Sequence, residues 1–385
     1  MSFFQVNHQS AKTDSRARTG VINTAHGTIQ TPAFVSVATK GTIKSLTPAQ
    51  LKDIGVQASF VNSYHLAVHP GTEIILRQGS IHTFSNMSWS LLSDSGGFQV
   101  FSLAKKARRG KFRDGEETIL VSLGEDKVIF RSLHDGTPIE FTPESSIQHQ
   151  INIGADMIMA FDECTYHPAT EAYTKKALKR THDWLVRCIE YKKKHARSDY
   201  PQYLYGVIQG GAFERLRVES AQFIDDQDTD GVAIGGVSVG ETKAEMRNQV
   251  KWVSNYLPQH KPVHLLGVGQ LDDIIDLVKH GIDTFDCVEP TRLARMGVLL
   301  SIQGIDGTIS DWTLRKIDIT SRQYFDNIEK IDSPSAYVGS FSYAYVYHLF
   351  KQKELLAYTL ATMHNLAVME LLMSRIRQEI ERNNI

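Results

Sequence analysis

Short, almost uninterrupted apolar runs recur along the 385-residue chain, and each ends in a polar or glycine-rich turn, often with a helical pattern after it. The runs fall at 58–61, 91–93, 157–161, 204–208, 232–234, 264–266 and 284–285. Continuous apolarity of this kind marks strands covered on both faces. Between them, 171–194 places Tyr173, Ala177, Leu178, Thr181, Leu185, Cys188 and Ile189 on one stripe, with lysines and arginines opposite, as an amphipathic helix requires. The segments 243–256 and 271–280 read the same way, and Gly281 stands where a helix C-cap belongs. Repeated strand–helix units imply a parallel sheet. Enough units to use this length favour an α/β fold closed into a (β/α)8 TIM barrel over an open doubly wound sheet. The less regular start, with HGTIQTPAFVSVATKG at 26–41, reads as an N-terminal hairpin leading into the first barrel strand. The stretch 342–383 reads as C-terminal helices built for packing, with Leu349, Leu356, Leu360, Leu366, Leu372 and Ile376 at helical spacing. The expectation is one catalytic barrel domain over 1–385.

Hydrophobic residues make up 42% of the chain, enough for a sizeable core. Lys plus Arg is 42 and Asp plus Glu is 43, so global charge gives no case for a nucleic-acid partner and any such case rests on local patches. One patch is the run Lys105, Lys106, Arg108, Arg109, Lys111 and Arg113, read as a phosphate-contacting loop or a solvated surface. Another, Lys192, Lys193 and Lys194, ends a long helix, where the dipole is explanation enough. Cys164, Cys188 and Cys287 have no metal-ligand spacing and suggest a reducing compartment. The start lacks a signal-peptide pattern, and no apolar stretch reads as the roughly 20 residues that span a bilayer. A soluble, cytoplasmic protein is expected.

In a barrel, the chemistry sits at the C-terminal strand ends. There LLS runs into Asp94, MIMAF into Asp162, YGVI into Gln209, VAI into Gly235-Gly236-Val237, and TF into Asp286. One aspartate after an apolar run is usually a turn former or N-cap; three at the same relative place, beside glycine pairs, make a site. Two carboxylates across a pocket can work on an acetal-like carbon, one attacking while the other handles protons. An Asp–Gln pair with exposed backbone groups suits the edge of a purine-like heterocycle.

The motifs DSGGFQVFSL (94–103), GADMIMAFDEC (154–164), YGVIQGG (205–211), GVAIGGVSVGE (231–241), LLGVGQLDDI (265–274) and GIDTFDCVEPTR (281–292) resemble the tRNA-guanine transglycosylase family. TPAFVSVAT (31–39) and NSYHLAVHPG (62–71) fit as well, so the resemblance runs in order through nearly the whole chain. It implies a barrel that exchanges guanine at the wobble position of a tRNA for a 7-deazaguanine base through a covalent Asp–ribosyl intermediate, in queuosine tRNA modification. By the same resemblance, Asp286 is the nucleophile and Asp94 the general acid/base. Asp162, Gln209, Gly236, Val237 and Leu266 form the base pocket, Arg292 and Arg295 contact the anticodon loop, and the protein is a homodimer. Cys164 and Val239 resemble the version that takes the aminomethyl precursor, preQ1; Ser238 resembles the version that takes queuine.

The chain departs from the family at a structural zinc held by three cysteines and a histidine. His364 matches the histidine, but the stretch 332–345 has no cysteine. One ligand cannot hold a zinc that needs four, so no metal or other cofactor is expected, and His364 should be a packed or hydrogen-bonded core residue. Tyr337, Phe341, Tyr343, Tyr345 and Tyr347 are the expected replacement staple. Two other readings use the same residues. A barrel glycosidase or nucleoside hydrolase would leave Arg292, Arg295 and the Gln209–Gly236 arrangement without a role. A non-catalytic tRNA-binding partner subunit would not need its aspartates.

Overall fold

The computed structural model describes residues 2–98, 118–132 and 136–385. The basic run at 105–113 lies outside them. Three antiparallel strands open the chain: β1 (Phe4–Gln9), β2 (Arg18–Thr24) and β3 (Gly27–Thr31). The expected hairpin is therefore the second half of a three-stranded sheet. Next come β4 (Ala33–Val37), β5 (Ala58–Val61) and β6 (Ser90–Ser93), then a second antiparallel sheet of β7 (Thr118–Leu123), β8 (Val128–Ser132) and β9 (Pro138–Phe141). The remaining parallel strands are β10 (Met157–Met159), β11 (Tyr203–Ile208), β12 (Gly231–Ile234), β13 (Val263–Leu265) and β14 (Thr284–Cys287). β4, β5, β6 and β10 to β14 close into an eight-stranded barrel in which β14 pairs with β4, Thr284 opposite Ala33 and Asp286 opposite Val35. The (β/α)8 architecture expected from the apolar runs is the observed one.

Local chemistry sets the helix starts. Thr170 caps the helix Glu171–His195, and Thr242 with Glu245 forms a capping box for Lys243–Ser254. Gly281 ends the 271–280 segment at φ 89°, a left-handed conformation that costs glycine little. The strand read over 157–161 is shorter, ending at Met159, although Ala160 still donates to the Tyr205 carbonyl at 2.9 Å.

Arg18 and Asp283 fasten the N-terminal sheet to the base of the barrel. Arg18 Nε donates to Asp283 Oδ1 at 2.9 Å and Nη2 to Oδ2 at 2.7 Å. The guanidinium also reaches the carbonyls of Gln259 at 2.7 Å and Lys261 at 2.9 Å, and the Val263 amide donates to Asp283 Oδ2 at 2.7 Å. Neither side chain leaves a buried polar atom without a partner, so the buried bidentate pair is a satisfied one.

After β14 come the short helix Glu289–Arg295 and a hairpin of β15 (Val298–Gln303) and β16 (Thr313–Asp318). The end of the chain is two helices, Tyr343–Gln352 and Leu355–Glu381, separated by Lys353 in the left-handed region at φ 58°. The second is long and apolar enough by composition to cross a membrane, which the sequence reading did not register; 67% of its apolar window is buried inside the protein. It packs on Glu289–Arg295, β15, β2 and β4. Asn365 in its middle accepts from the Leu300 amide at 2.8 Å and donates to the carbonyls of Pro290 at 2.9 Å and Val298 at 3.0 Å. The helix thereby fixes the segment that follows Asp286.

Removing one member of a buried pair leaves the other charge unpaired. Arg18→Ala is expected to lower the unfolding free energy by about 3–5 kcal/mol in urea denaturation, whereas a loss within about 0.5 kcal/mol, typical of a surface change, would show that this pair does not fasten the barrel base.

Candidate active site

Asp94 directly follows β6 and sits half-buried beside the end of β5. The Ser63 amide donates to its Oδ1 at 2.7 Å, the Ser63 hydroxyl to the same oxygen at 3.2 Å, and the Asn62 side-chain amide to Oδ2. Asn62 also caps the helix Ser63–Val68 by accepting from the His65 amide at 2.9 Å, so a single turn both starts a helix and orients a carboxyl group. Burial pushes the Asp94 carboxyl up to about 7; the Ser63 donors pull against that, and the carboxylates of Asp162 and Asp286 add to it.

Asp162, buried three residues beyond β10, accepts from Ser95 Oγ at 3.0 Å through Oδ1 and from Gln209 Nε2 at 2.7 Å through Oδ2. Burial raises it to about 6 against those two hydrogen bonds. Gln209 immediately follows β11, and its Oε1 is buried without a hydrogen-bond partner among the described residues, which leaves an acceptor open in the site. The backbone of Gly236 closes over that amide at φ 63°: a Cβ there would stand 2.3 Å from Gln209 Oε1. Gly97 is as constrained, since its Cβ would meet Asp162 Oδ1 at 2.3 Å. At Gly97 and Gly236, backbone therefore lies directly against the polar side chains of Asp162 and Gln209.

Arg217 holds the turns after β11 and β12 from behind. It is fully buried, and burial pushes its guanidinium down to about 10. It donates to the carbonyls of Gly211 at 2.7 Å, Gly235 at 2.9 Å and Gly236 at 2.7 Å, and to Gln249 Oε1 at 2.7 Å. Beyond them, Glu241 accepts from the amides of Ser238 and Val239, the latter at 2.9 Å. Val237 is buried at 6% exposure and Leu266, half-buried, follows β13. Cys164 is buried in the same wall, and burial pushes its thiol well up, which makes it packing rather than a nucleophile.

Asp286 lies within β14 with its side chain 14% exposed. Oδ1 accepts from the Gly267 amide at 3.0 Å and lies 3.1 Å from His264 Nε2. Oδ2 has no hydrogen-bond partner among the described residues. Six residues later, Arg292 is exposed on the helix Glu289–Arg295, with no ion-pair partner among the described residues. Arg295 is half-buried, donating to the Thr291 carbonyl at 2.7 Å, and burial together with Arg292 lowers its pKa. Asp94, Asp162, Gln209, Gly236 and Asp286 thus converge at one end of the barrel, with Arg292 and Arg295 one helix away.

Where the resembling family holds its zinc, His364 is the one matching donor and the stretch 332–345 offers hydroxyls in place of cysteines. His364 is buried, and its Nε2 is 2.7 Å from the Leu300 carbonyl, which makes that nitrogen the donor. In the facing segment, Val338 is fully buried, and the Ser335 hydroxyl accepts from the Val338 amide at 3.4 Å. The three cysteines lie elsewhere, and neutral hydroxyls do not replace thiolates at a structural zinc. Aromatic contacts occupy the region: Tyr337 meets Phe341 edge-on at 5.5 Å, Phe341 stacks on Tyr345 at 5.5 Å, and Tyr324 on Tyr343 at 5.2 Å.

The sequence reading missed Asn62, Ser63, Ser95, His264 and Arg217 as site residues. Asn62 and Ser63 follow an apolar run at 58–61 as Asp94 follows its own, so the strand-end rule could have found them. His264 and Arg217 carry no comparable signal, because a histidine inside an apolar strand and an arginine on a helix both read as structural.

Comparisons with known proteins identify the family. A family model for queuine tRNA-ribosyltransferase matches residues 13–385. A protein named queuine tRNA-ribosyltransferase from Herpetosiphon aurantiacus is 42% identical over 369 residues, covering 95% of this chain and 86% of its own length. Proteins of the same name from Protochlamydia amoebophila, 42% identical over 394 residues and covering 99% and 96%, and from Synechococcus elongatus, 41% identical over 377 residues and covering 98% and 91%, match equally broadly. On a match that spans nearly its whole length, the chain belongs to the queuine tRNA-ribosyltransferase family.

Proposed function

We propose that this enzyme, a pentosyltransferase, removes guanine from the wobble position (34) of a tRNA and inserts a 7-deazaguanine base by two displacements at C1′ of the ribose. The observation that carries this reading is the pairing of unlike carboxyls: Asp286 has one oxygen that takes no hydrogen bond from the described residues, while burial pushes Asp94 up to about 7. Asp286 forms a bond to C1′ as the C1′–N9 bond breaks, and the departing pair on guanine takes a proton from Asp94. In the return step Asp94 removes the N9 proton of the incoming base, N9 attacks C1′, and Asp286 leaves as a carboxylate. A carboxyl near 7 is populated in both forms at neutral pH, which is what a group alternating between acid and base requires.

Asp162, the open acceptor of Gln209 and the backbone around Gly236 and Val237 read the hydrogen-bonding edge of the base, with Leu266 as an apolar wall. Extrusion of a single-stranded loop base costs little. Arg292 and Arg295 contact the backbone of the anticodon loop, a local positive spot on a chain of net charge −1. The recess beside Gly236, bounded by Thr165, Thr174, Gly211 and Val239, is small; it suits the aminomethyl side chain of preQ1 better than the larger substituent of queuine. No step calls for a metal or other cofactor. A cytoplasmic site of action follows from the tRNA substrate.

We further propose a homodimer. Phe325, Ile328, Tyr337 and Tyr345 are 65%, 84%, 53% and 40% exposed. They lie on segments joined by a bridge between Lys330 and Ser342 and by the Ala344 amide donating to the Asn327 carbonyl at 2.7 Å. Such a concentration of exposed apolar side chains marks an interaction surface, and Ile328→Asp should shift the sedimentation coefficient to that of a monomer. A variant that sediments like the wild type would remove this face from the dimer.

Labelled guanine should enter unmodified tRNA in the presence of the enzyme, and preQ1 should compete better than queuine; tRNA bound without label uptake would favour the partner-subunit reading. Asp94→Asn should slow exchange by roughly 10²–10⁴-fold. Asp94 titrates near 7 when folded and near 3.8 when unfolded, so its protonated form stabilises the fold below the unfolded value and that contribution is lost as pH rises through about 7. The melting temperature of Asp94→Asn relative to wild type should therefore improve between about pH 4 and about pH 8; a constant difference would contradict the raised carboxyl.

A further inference from the structure

We propose that His264 is a positioning residue that dictates which oxygen of Asp286 attacks. The inference rests on the transglycosylase reading above and deepens it. His264 is fully buried on β13, beside Thr284 in the ladder between β13 and β14. Thr284 and Asp286 are two residues apart on β14 and so face the same side, with the imidazole of His264 reaching both. His264 Nδ1 is 2.8 Å from Thr284 Oγ1, and Nε2 is 3.1 Å from Asp286 Oδ1. The ring of Phe60 packs 5.5 Å from the imidazole, closing its apolar side.

The proton positions follow from the partners. An ionised carboxylate only accepts, so the proton on the shared edge belongs to Nε2. In the neutral ring Nδ1 is then the acceptor, and the Thr284 hydroxyl must donate to it. Together with the Gly267 amide at 3.0 Å, His264 gives Oδ1 two donors, while Oδ2 accepts from none of the described residues. Attack runs through Oδ2. Once the C1′–Oδ2 bond has formed, Oδ1 is the carbonyl oxygen of the ribosyl ester and retains both donors. As the incoming base attacks C1′ and the C1′–Oδ2 bond breaks, its electron pair returns to the carboxylate. The charge that reappears is shared with Oδ1, where His264 and Gly267 already point. His264 therefore serves the second displacement more than the first.

The test uses the full chain, tRNA and labelled guanine. His264→Phe keeps a ring against Phe60 and removes the donor; His264→Gln can donate to Oδ1 and accept from Thr284. The Phe variant should lose roughly ten- to a hundredfold in kcat, the cost of a misplaced reacting group, without a rise in KM for tRNA. The fraction of tRNA held in a denaturant-stable adduct should rise, because ester breakdown is the slowed step. The Gln variant should recover most of kcat and return the adduct to the wild-type fraction. If His264→Phe does not fold, His264→Leu, which also removes the donor but with a smaller apolar side chain, should show the same split. A folded Phe variant with wild-type kcat and adduct level would overturn the inference, and so would a Gln variant as slow as the Phe variant. Wild-type enzyme that exchanges no base would overturn the functional reading and this inference with it.

Discussion

Three carboxyl groups facing one another at the mouth of a closed barrel are the constraint around which the rest of the molecule is organised. Each is stripped of part of its water, and like charges at short range cannot all ionise freely. The chain answers with a different set of donors for each. Asp94 has the Asn62–Ser63 turn, Asp162 has Ser95 and Gln209, and Asp286 has Gly267 and His264. Each carboxyl thus has its own set of donors, and the proposed mechanism uses that difference when it has one attack, one exchange protons and one read a base.

Residues outside the carboxyl cluster hold those donors still. Arg217 ties the turns after β11 and β12 together through backbone carbonyls, so the glycines can lie against Gln209 without a side chain intervening. Asn365 on the long C-terminal helix fixes the segment carrying Arg292 and Arg295. Glu289, in the first turn of that segment, pairs with Lys316 on β16 at 2.7 Å. The hairpin and the C-terminal helices are thus coupled to the strand that bears Asp286. Half-exposed aromatic rings around Phe341 pack on one another in the same region.

The barrel was legible because strands covered on both faces must be apolar throughout, and seven of the eight barrel strands announced themselves that way, with the eighth read from the hairpin beside it. Asp94, Asp162, Gln209, Gly236 and Asp286 were legible because a polar residue ending such a run has one place to go. The inserted sheet of β7 to β9 was not, since its strands belong to no strand–helix repeat. Arg18 and Asp283 lie 265 positions apart, and no periodicity connects them. His264 was read only as part of an apolar run; its role depends on a neighbouring strand in register, which no single segment encodes. The membrane-like apolarity of Leu355–Glu381 has the opposite lesson: composition alone gives no indication of what a helix buries itself against.

The central claim is that Asp286 bonds covalently to the ribose while Asp94 does not. The direct test is to quench the enzyme with its tRNA in denaturant, digest protein and RNA, and map the residual mass by peptide sequencing. The account predicts a ribonucleotide-derived mass on the peptide containing Asp286, absent when that residue is replaced by Ala. The same mass on the peptide containing Asp94, or continued base exchange by the Asp286→Ala enzyme, would contradict it.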